Sequence, residues 1–240
     1  MTAGMDQTVR IGAAVTAAVE EVFGTVAEVR AAALRARSAA AADVAGGAFP
    51  GLAAPLQALL TAPGQLALGL GVMGAPDAGR PEELYWWQLD PVSGGVHELA
   101  PDLRPASVGF YDYAAAPWFD VPRRTGARHA VGPHVDVHGT GQYLLTFTAP
   151  VVADGTFLGV AGLDVMVSRF ESDLLGRLGS LRQPFLLVND DERVVLSTSP
   201  WWLVGSLVPP AAAPPRAGTP VPGVPWRLNL VDDAGSLLGG

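Results

Sequence analysis

The sequence predicts an α+β fold: a long N-terminal helix packed on a largely antiparallel sheet, followed by a smaller second lobe with its own strands. Three observations predict it. An apolar stripe of helical period runs from residue 11 to residue 33. Strand-like runs punctuated by turn residues fill positions 65–167. After residue 180 the pattern changes to a hairpin with a polar turn, a Pro/Ala-rich stretch and one last strand. The expected organisation is therefore an N-terminal helix (1–45), a sheet domain (46–179) and a smaller lobe (180–240).

The helix is expected over residues 8–43. Ile11, Val15, Val19, Val22, Val26, Val29 and Ala33 are spaced 4, 4, 3, 4, 3 and 4 residues apart. That spacing lines one face of a helix. It serves either to cover the protein's own sheet or, because it approximates a heptad, to form a homodimer through the helix. Gly46-Gly47 and Pro50 stop the helix, and 51–62 reads as a short second one. Strands are expected at 65–73, 84–89, 96–99, 128–138, 142–153 and 156–167. Gly94-Gly95 and Asp154-Gly155 mark hairpin turns. A helix at 168–179 leaves the last of these strands. In the second lobe, residues 185–199 form a hairpin turning at Asn189 to Glu192, 209–225 a loop and 224–231 a strand.

Composition narrows the function. Hydrophobic residues make up 49% of the chain and charged residues 16%, enough apolar material for a sizeable core. The net charge of −8 argues against nucleic acid or an anionic membrane as a partner. With no cysteine there is neither disulfide nor thiolate chemistry. No run of roughly 20 apolar residues could span a membrane. The opening MTAGMDQTVR lacks the basic start and apolar core of a signal peptide, so the chain as written reads as cytoplasmic.

The most informative stretch is 110–165. Tyr111, Tyr113, Trp118 and Phe119 precede strands ending in a lone acid, Asp164, within the apolar GVAGLDV. A carboxylate buried in such a strand is costly unless something pairs with it. Facing aromatic rings, it suits a pocket for a small polar or cationic ligand. His134, Asp136 and His138 alternate along one strand, so their side chains share a face and could hold a metal, although three ligands on one strand converge poorly on a tetrahedral ion. GLGVMG (69–74) matches G-x-G-x-x-G, but Ala75-Pro76-Asp77 follows where a dinucleotide site needs a helix. Its glycines instead let strands pack closely or border a ligand. Of the adjacent Trp86 and Trp87, one must face inward, and Trp87 is taken as the pocket residue. No G-x-S-x-G elbow or other nucleophile–base pattern is present. The expected protein is not an enzyme and carries no cofactor.

The DY…PWF of 112–119, GPHVD of 132–136, APVVADGTFLGVAGLDV of 149–165 and the helix after it resemble, in order and spacing, a Cache domain, the PAS-like extracytoplasmic sensor module of bacterial receptors. LYWWQLD and GLGVMGAP resemble the family's early strands, and 185–231 resembles a shortened membrane-proximal lobe of its double form. The resemblance implies a PAS-like sheet behind a long helix, and an amino-acid-type pocket. On that pattern Tyr111 and Trp118 match pocket aromatics, and Asp164 matches the aspartate that holds the ligand's amine. Ala116 stands where the carboxylate-binding arginine would be. Phe119 and His134 each replace a tyrosine. The amine-binding half is kept and the carboxylate clamp is lost.

The expected function is small-molecule sensing. The ligand is an amine held by Asp164 inside a cage of Tyr111, Trp118 and Phe119, with Tyr113, His134 and Trp87 beside it. Alternatives are a small carboxylate held by His134, or a metal held by His134, Asp136 and His138.

Overall fold

The computed structural model describes residues 2–39, 49–76, 83–90, 92–104, 106–136, 141–212 and 216–238. Its first half is α1 (Thr2–Ala39), α2 (Ala53–Leu60), β1 (Ala67–Gly74), β2 (Leu84–Leu89), β3 (Val96–Glu98), α3 (Pro117–Thr125), β4 (His129–Val135), β5 (Tyr143–Ala153) and β6 (Thr156–Met166). There follow α4 (Val167–Leu178), β7 (Phe185–Asn189), β8 (Val194–Ser197), β9 (Thr219–Val221), β10 (Trp226–Val231) and β11 (Leu237–Leu238). The α+β class expected from the sequence is the one observed.

Strands β1 to β6 form one antiparallel sheet in the order β3-β2-β1-β6-β5-β4. Strands β7 to β11 form a second, ordered β11-β10-β7-β8 with β9 paired to β10. In the β5–β6 hairpin Asp154 and Gly155 both take positive φ, 49° and 76°, as a type I′ turn requires. In the β2–β3 hairpin Asp90 ties the loop by accepting the backbone N–H groups of Val92 and Ser93.

α1 begins at Thr2, six residues earlier than expected; residues 40–43 and the Gly46-Gly47 stop lie outside the described residues. The helix runs across β5, β6 and β1 and touches α2, α4, β9 and β10. Every residue of its stripe is buried, from Ile11 and Val15 at 0% exposure to Val22 at 3%. The stripe therefore serves the chain's own core. A homodimer through α1 would have to use the opposite face, where Val9 is exposed.

The core beneath α1 is continuous across both sheets. Phe147 of β5 meets Phe23 of α1, Phe170 of α4 and Trp226 of β10 at centroid distances of 5.4, 6.3 and 6.0 Å. Asn189, at the end of β7, donates from Nδ2 to the carbonyl of Gly132 in β4 at 3.0 Å, joining the second lobe to the first sheet. At the rim Arg128 pairs with Glu20 and lies 4.3 Å from the ring centroid of Phe23.

Three elements were not anticipated. α3 lies in a stretch for which the sequence predicts no helix or strand; Pro117 opens it, and Gly126 closes it in the left-handed conformation at φ 68°. β9 lies within the stretch 209–225, which the sequence predicts as loop, and β11 is a two-residue edge strand.

Candidate functional site

Alternation along the strands gives the first sheet two unlike faces. Leu70, Val72, Trp87, Leu145, Phe147, Leu163 and Val165 point into the core under α1. The opposite face is set by register: Gly69 lies opposite both Gln88 and Asp164, Asp164 opposite Thr146, Gly71 opposite Trp86 and Gly162, and Gly162 opposite Thr148. Gln88, Thr146, Thr148 and Asp164 are all buried polar residues on this second face.

The glycines make room for one ring. A Cβ on Gly69 would sit 2.7 Å from Trp86 Nε1, and one on Gly162 would sit 3.6 Å from the far edge of the same indole. At Gly71 a Cβ would sit 2.0 Å from the carbonyl oxygen of Tyr85. The indole of Trp86 thus lies across a glycine floor, with its nitrogen above the residue opposite Asp164.

The aromatic segment covers this face. Tyr113 is 1% exposed, and its hydroxyl donates to the carbonyl of Gly74 at 2.8 Å, pinning the segment to the end of β1. Trp118, in the first turn of α3, stacks on Tyr113 at 6.2 Å and lies 6.4 Å from Tyr111. Its backbone carbonyl accepts from Thr148 Oγ1 at 2.7 Å. Phe119 is fully buried between Tyr113 and Phe157.

Between cover and floor lies a cavity of about 40 Å³. β1 and β2 give it Met73, Trp86 and Gln88, the cover Leu99, Tyr111 and Trp118, and the far strands His134, Asp136, Thr146 and Asp164. It has room for only a few water-sized groups.

The charges in this cleft are negative. Asp164 is 9% exposed and accepts from Thr146 Oγ1 at 2.6 Å. Burial pushes its carboxyl up to about 7; the Thr146 hydrogen bond lowers it, and the Asp136 charge raises it further. Burial raises the Tyr111 phenol, assisted by the charges of Asp164 and Asp136. Burial lowers His134 against the pull of Asp136, which favours the neutral imidazole. Among the described residues no arginine lines the cavity. Ala116 is the N-cap residue of α3. Among the described residues, the side chains of Trp86 and His134 at the cleft each have a buried nitrogen without a hydrogen-bond partner, Nε1 and Nδ1 respectively.

Of the residues singled out in the sequence, Tyr111, Trp118, His134 and Asp164 meet in the cavity. Tyr113 and Phe119 pack behind Trp118 in the apolar cluster that supports it. Trp87 belongs to the opposite face and faces the α1 core; its neighbour Trp86 is the cleft residue. Sequence reasoning missed Trp86, Gln88 and Thr146. The signal was in GLGVMG, because glycines two apart on one strand free a single face for a bulky ring on the next. His138 lies outside the described residues, and among the described residues no three His, Asp or Glu side chains gather as a metal would need.

No family model matches the sequence, and comparison with curated proteins finds no significant match. Solved structures do match. The ligand-binding domain of the Pseudomonas aeruginosa PAO1 amino acid chemoreceptor PctC, in complex with GABA, superposes with a TM-score of 0.58 at 20% identity, covering 97% of this chain and 100% of that one. The sensory domain of the Campylobacter jejuni chemoreceptor Tlp3 with isoleucine bound gives 0.56 at 15% identity, covering 86% and 75%. The fold is that of Cache-type sensor domains. A third Cache-like match is the extracellular domain of mmHK1S-Z3, assigned as a histidine kinase, with a TM-score of 0.51 at 16% identity. It covers 73% of this chain, which spans 63% of that domain's length.

These matches correct the cytoplasmic expectation, because the Cache-like kinase domains that this chain resembles are extracellular. No helix among the described residues is long and apolar enough to cross a membrane. That property belongs equally to a Cache fold on either side of a membrane, so it could not choose between them.

Proposed function

We propose that the chain is the ligand-binding sensor module of a receptor, working outside the cytoplasm, and that its ligand is a small amine. Sheet domain 46–179 takes up the ligand and 180–240 is the lobe coupled to it. One observation carries the reading: among the described residues Asp164 is a buried carboxylate with no basic partner, lining one cavity with Tyr111 and Trp118. A buried acid of this kind is stabilised in its charged form by a cation. Aromatic faces add a cation–π contribution of about 1–2 kcal/mol when desolvated. A ligand ammonium supplies what the lining lacks.

Two features favour an amine over an acid as the ligand's main charge. Asp136 adds a second negative group at the cleft, and Ala116 offers no charge to a carboxylate. The amino-acid and GABA ligands of the matched chemoreceptor domains also carry an amine, in keeping with this reading. The small cavity favours a ligand of few heavy atoms. A thermal-shift screen of primary amines, amino alcohols, amino acids and small acids tests the proposal. Amines are expected to stabilise the wild type and to leave Asp164→Ala unshifted. Stabilisation by acids alone, or equal amine shifts in both proteins, would refute it.

A further inference from the structure

The geometry points to a bifunctional ligand: an ammonium for Asp164 and, a few bonds away, a neutral hydrogen-bond acceptor for the indole nitrogen of Trp86. This inference rests on the amine reading and specifies the rest of the molecule. Trp86 is 4% exposed, and its Nε1 is buried without a partner. An indole N–H can only donate, so it is satisfied by an acceptor and by nothing else. Leaving such a donor buried and unmade costs about 1–3 kcal/mol. The same ring could have been a phenylalanine if the cleft required only apolar cover.

Placement makes the unpaired donor part of the site. Nε1 stands above Gly69, whose direct cross-strand partner is Asp164. Directly paired residues on one face have Cβ positions about 5 Å apart. An acceptor three or four bonds from an ammonium approaches a distance of that order, with the remainder taken up by the hydrogen bonds at either end. His134 Nδ1, also buried and unpartnered, borders the same cavity and offers the acceptor a second neighbour. The acceptor is neutral because Asp164 and Asp136 both repel an anion and, among the described residues, no arginine lines the cleft to offset them. Amino alcohols and amino amides have this chemistry.

Ethanolamine and propylamine have the same number of heavy atoms and differ in the acceptor, which makes them the probe pair for calorimetric titration. In the wild type, ethanolamine is expected to bind about tenfold tighter, the factor corresponding to one satisfied donor. In Trp86→Phe that ratio is expected to collapse toward one, and in Asp164→Asn both probes are expected to lose binding. Because Trp86→Phe disturbs a packed ring, the wild type also supplies a direct readout. The side-chain N–H resonance of Trp86 should shift with saturating ethanolamine and stay in place with propylamine. Equal affinities for the two probes, or a ratio retained in Trp86→Phe, would overturn the inference while leaving the amine reading standing. Tighter binding of β-alanine than of ethanolamine would overturn the neutral acceptor. Failure of both amines to bind the wild type would overturn the amine reading itself, and this inference with it.

Discussion

The two faces of the six-stranded sheet are made by the same strands and obey opposite rules. Toward α1, β6 presents Leu163 and Val165 to a dry core; one residue over, it presents Asp164 to the cleft. β5 does the same with Phe147 on one side and Thr146 and Thr148 on the other. β2 divides Trp87 from Trp86. The helix side is filled by aliphatic and aromatic packing. Among the described residues, the other side carries a buried acid without a counter-ion and an indole nitrogen without an acceptor. The packed face offsets the cost of burying these polar groups.

The largest expected break of this contrast is on the packed face. Phe147→Ala removes a fully buried ring that touches α1, α4 and β10 at once. It should cost about 3–5 kcal/mol in urea unfolding. A cost under about 1 kcal/mol would mean that the two sheets do not share this core.

The cleft face should respond with the opposite sign. Asp164 has a folded-state carboxyl raised to about 7, against an unfolded value of about 3.9. Between those values the folded chain holds the proton and the unfolded chain does not, so stability falls as pH rises from about 4 to 7. Asp164→Asn removes this dependence. It should leave stability nearly unchanged at pH 4 and raise it by as much as about 4 kcal/mol at pH 8 in urea unfolding. Destabilisation of the Asn variant at pH 8 would mean that Asp164 is a structural anchor and that the cleft face is part of the core.

Much of this contrast was legible in the sequence. The stripe from Ile11 to Ala33 announced α1, Asp154-Gly155 announced the β5–β6 turn, and the lone acid in GVAGLDV announced the cleft. Strand period explains what failed. A shift of one residue moves a side chain through the sheet, and nothing local to LYWWQL says which tryptophan faces which side. Only the pairing of Gly71 with Trp86 and of Gly69 with Gln88 decides it. The register of β4 breaks between Val131 and His134, so alternation alone could not place His134 and Asp136. α3 was missed because PWFDVPRRT is short and contains Pro122, although Pro117 at its start and Gly126 after its end are ordinary helix boundaries. Cellular location was misread because it was drawn from the first ten residues and from the lack of an apolar span, neither of which reports where the folded domain works.

The central claim is that Asp164 must be ionised to hold the ligand's cation. Its most direct test is the affinity for ethanolamine, measured by calorimetry from pH 5 to pH 8. The account predicts an affinity that rises by close to tenfold per pH unit below about 7 and then levels, with Asp164→Asn binding weakly at every pH. An affinity independent of pH, or one that strengthens toward acid, would contradict it.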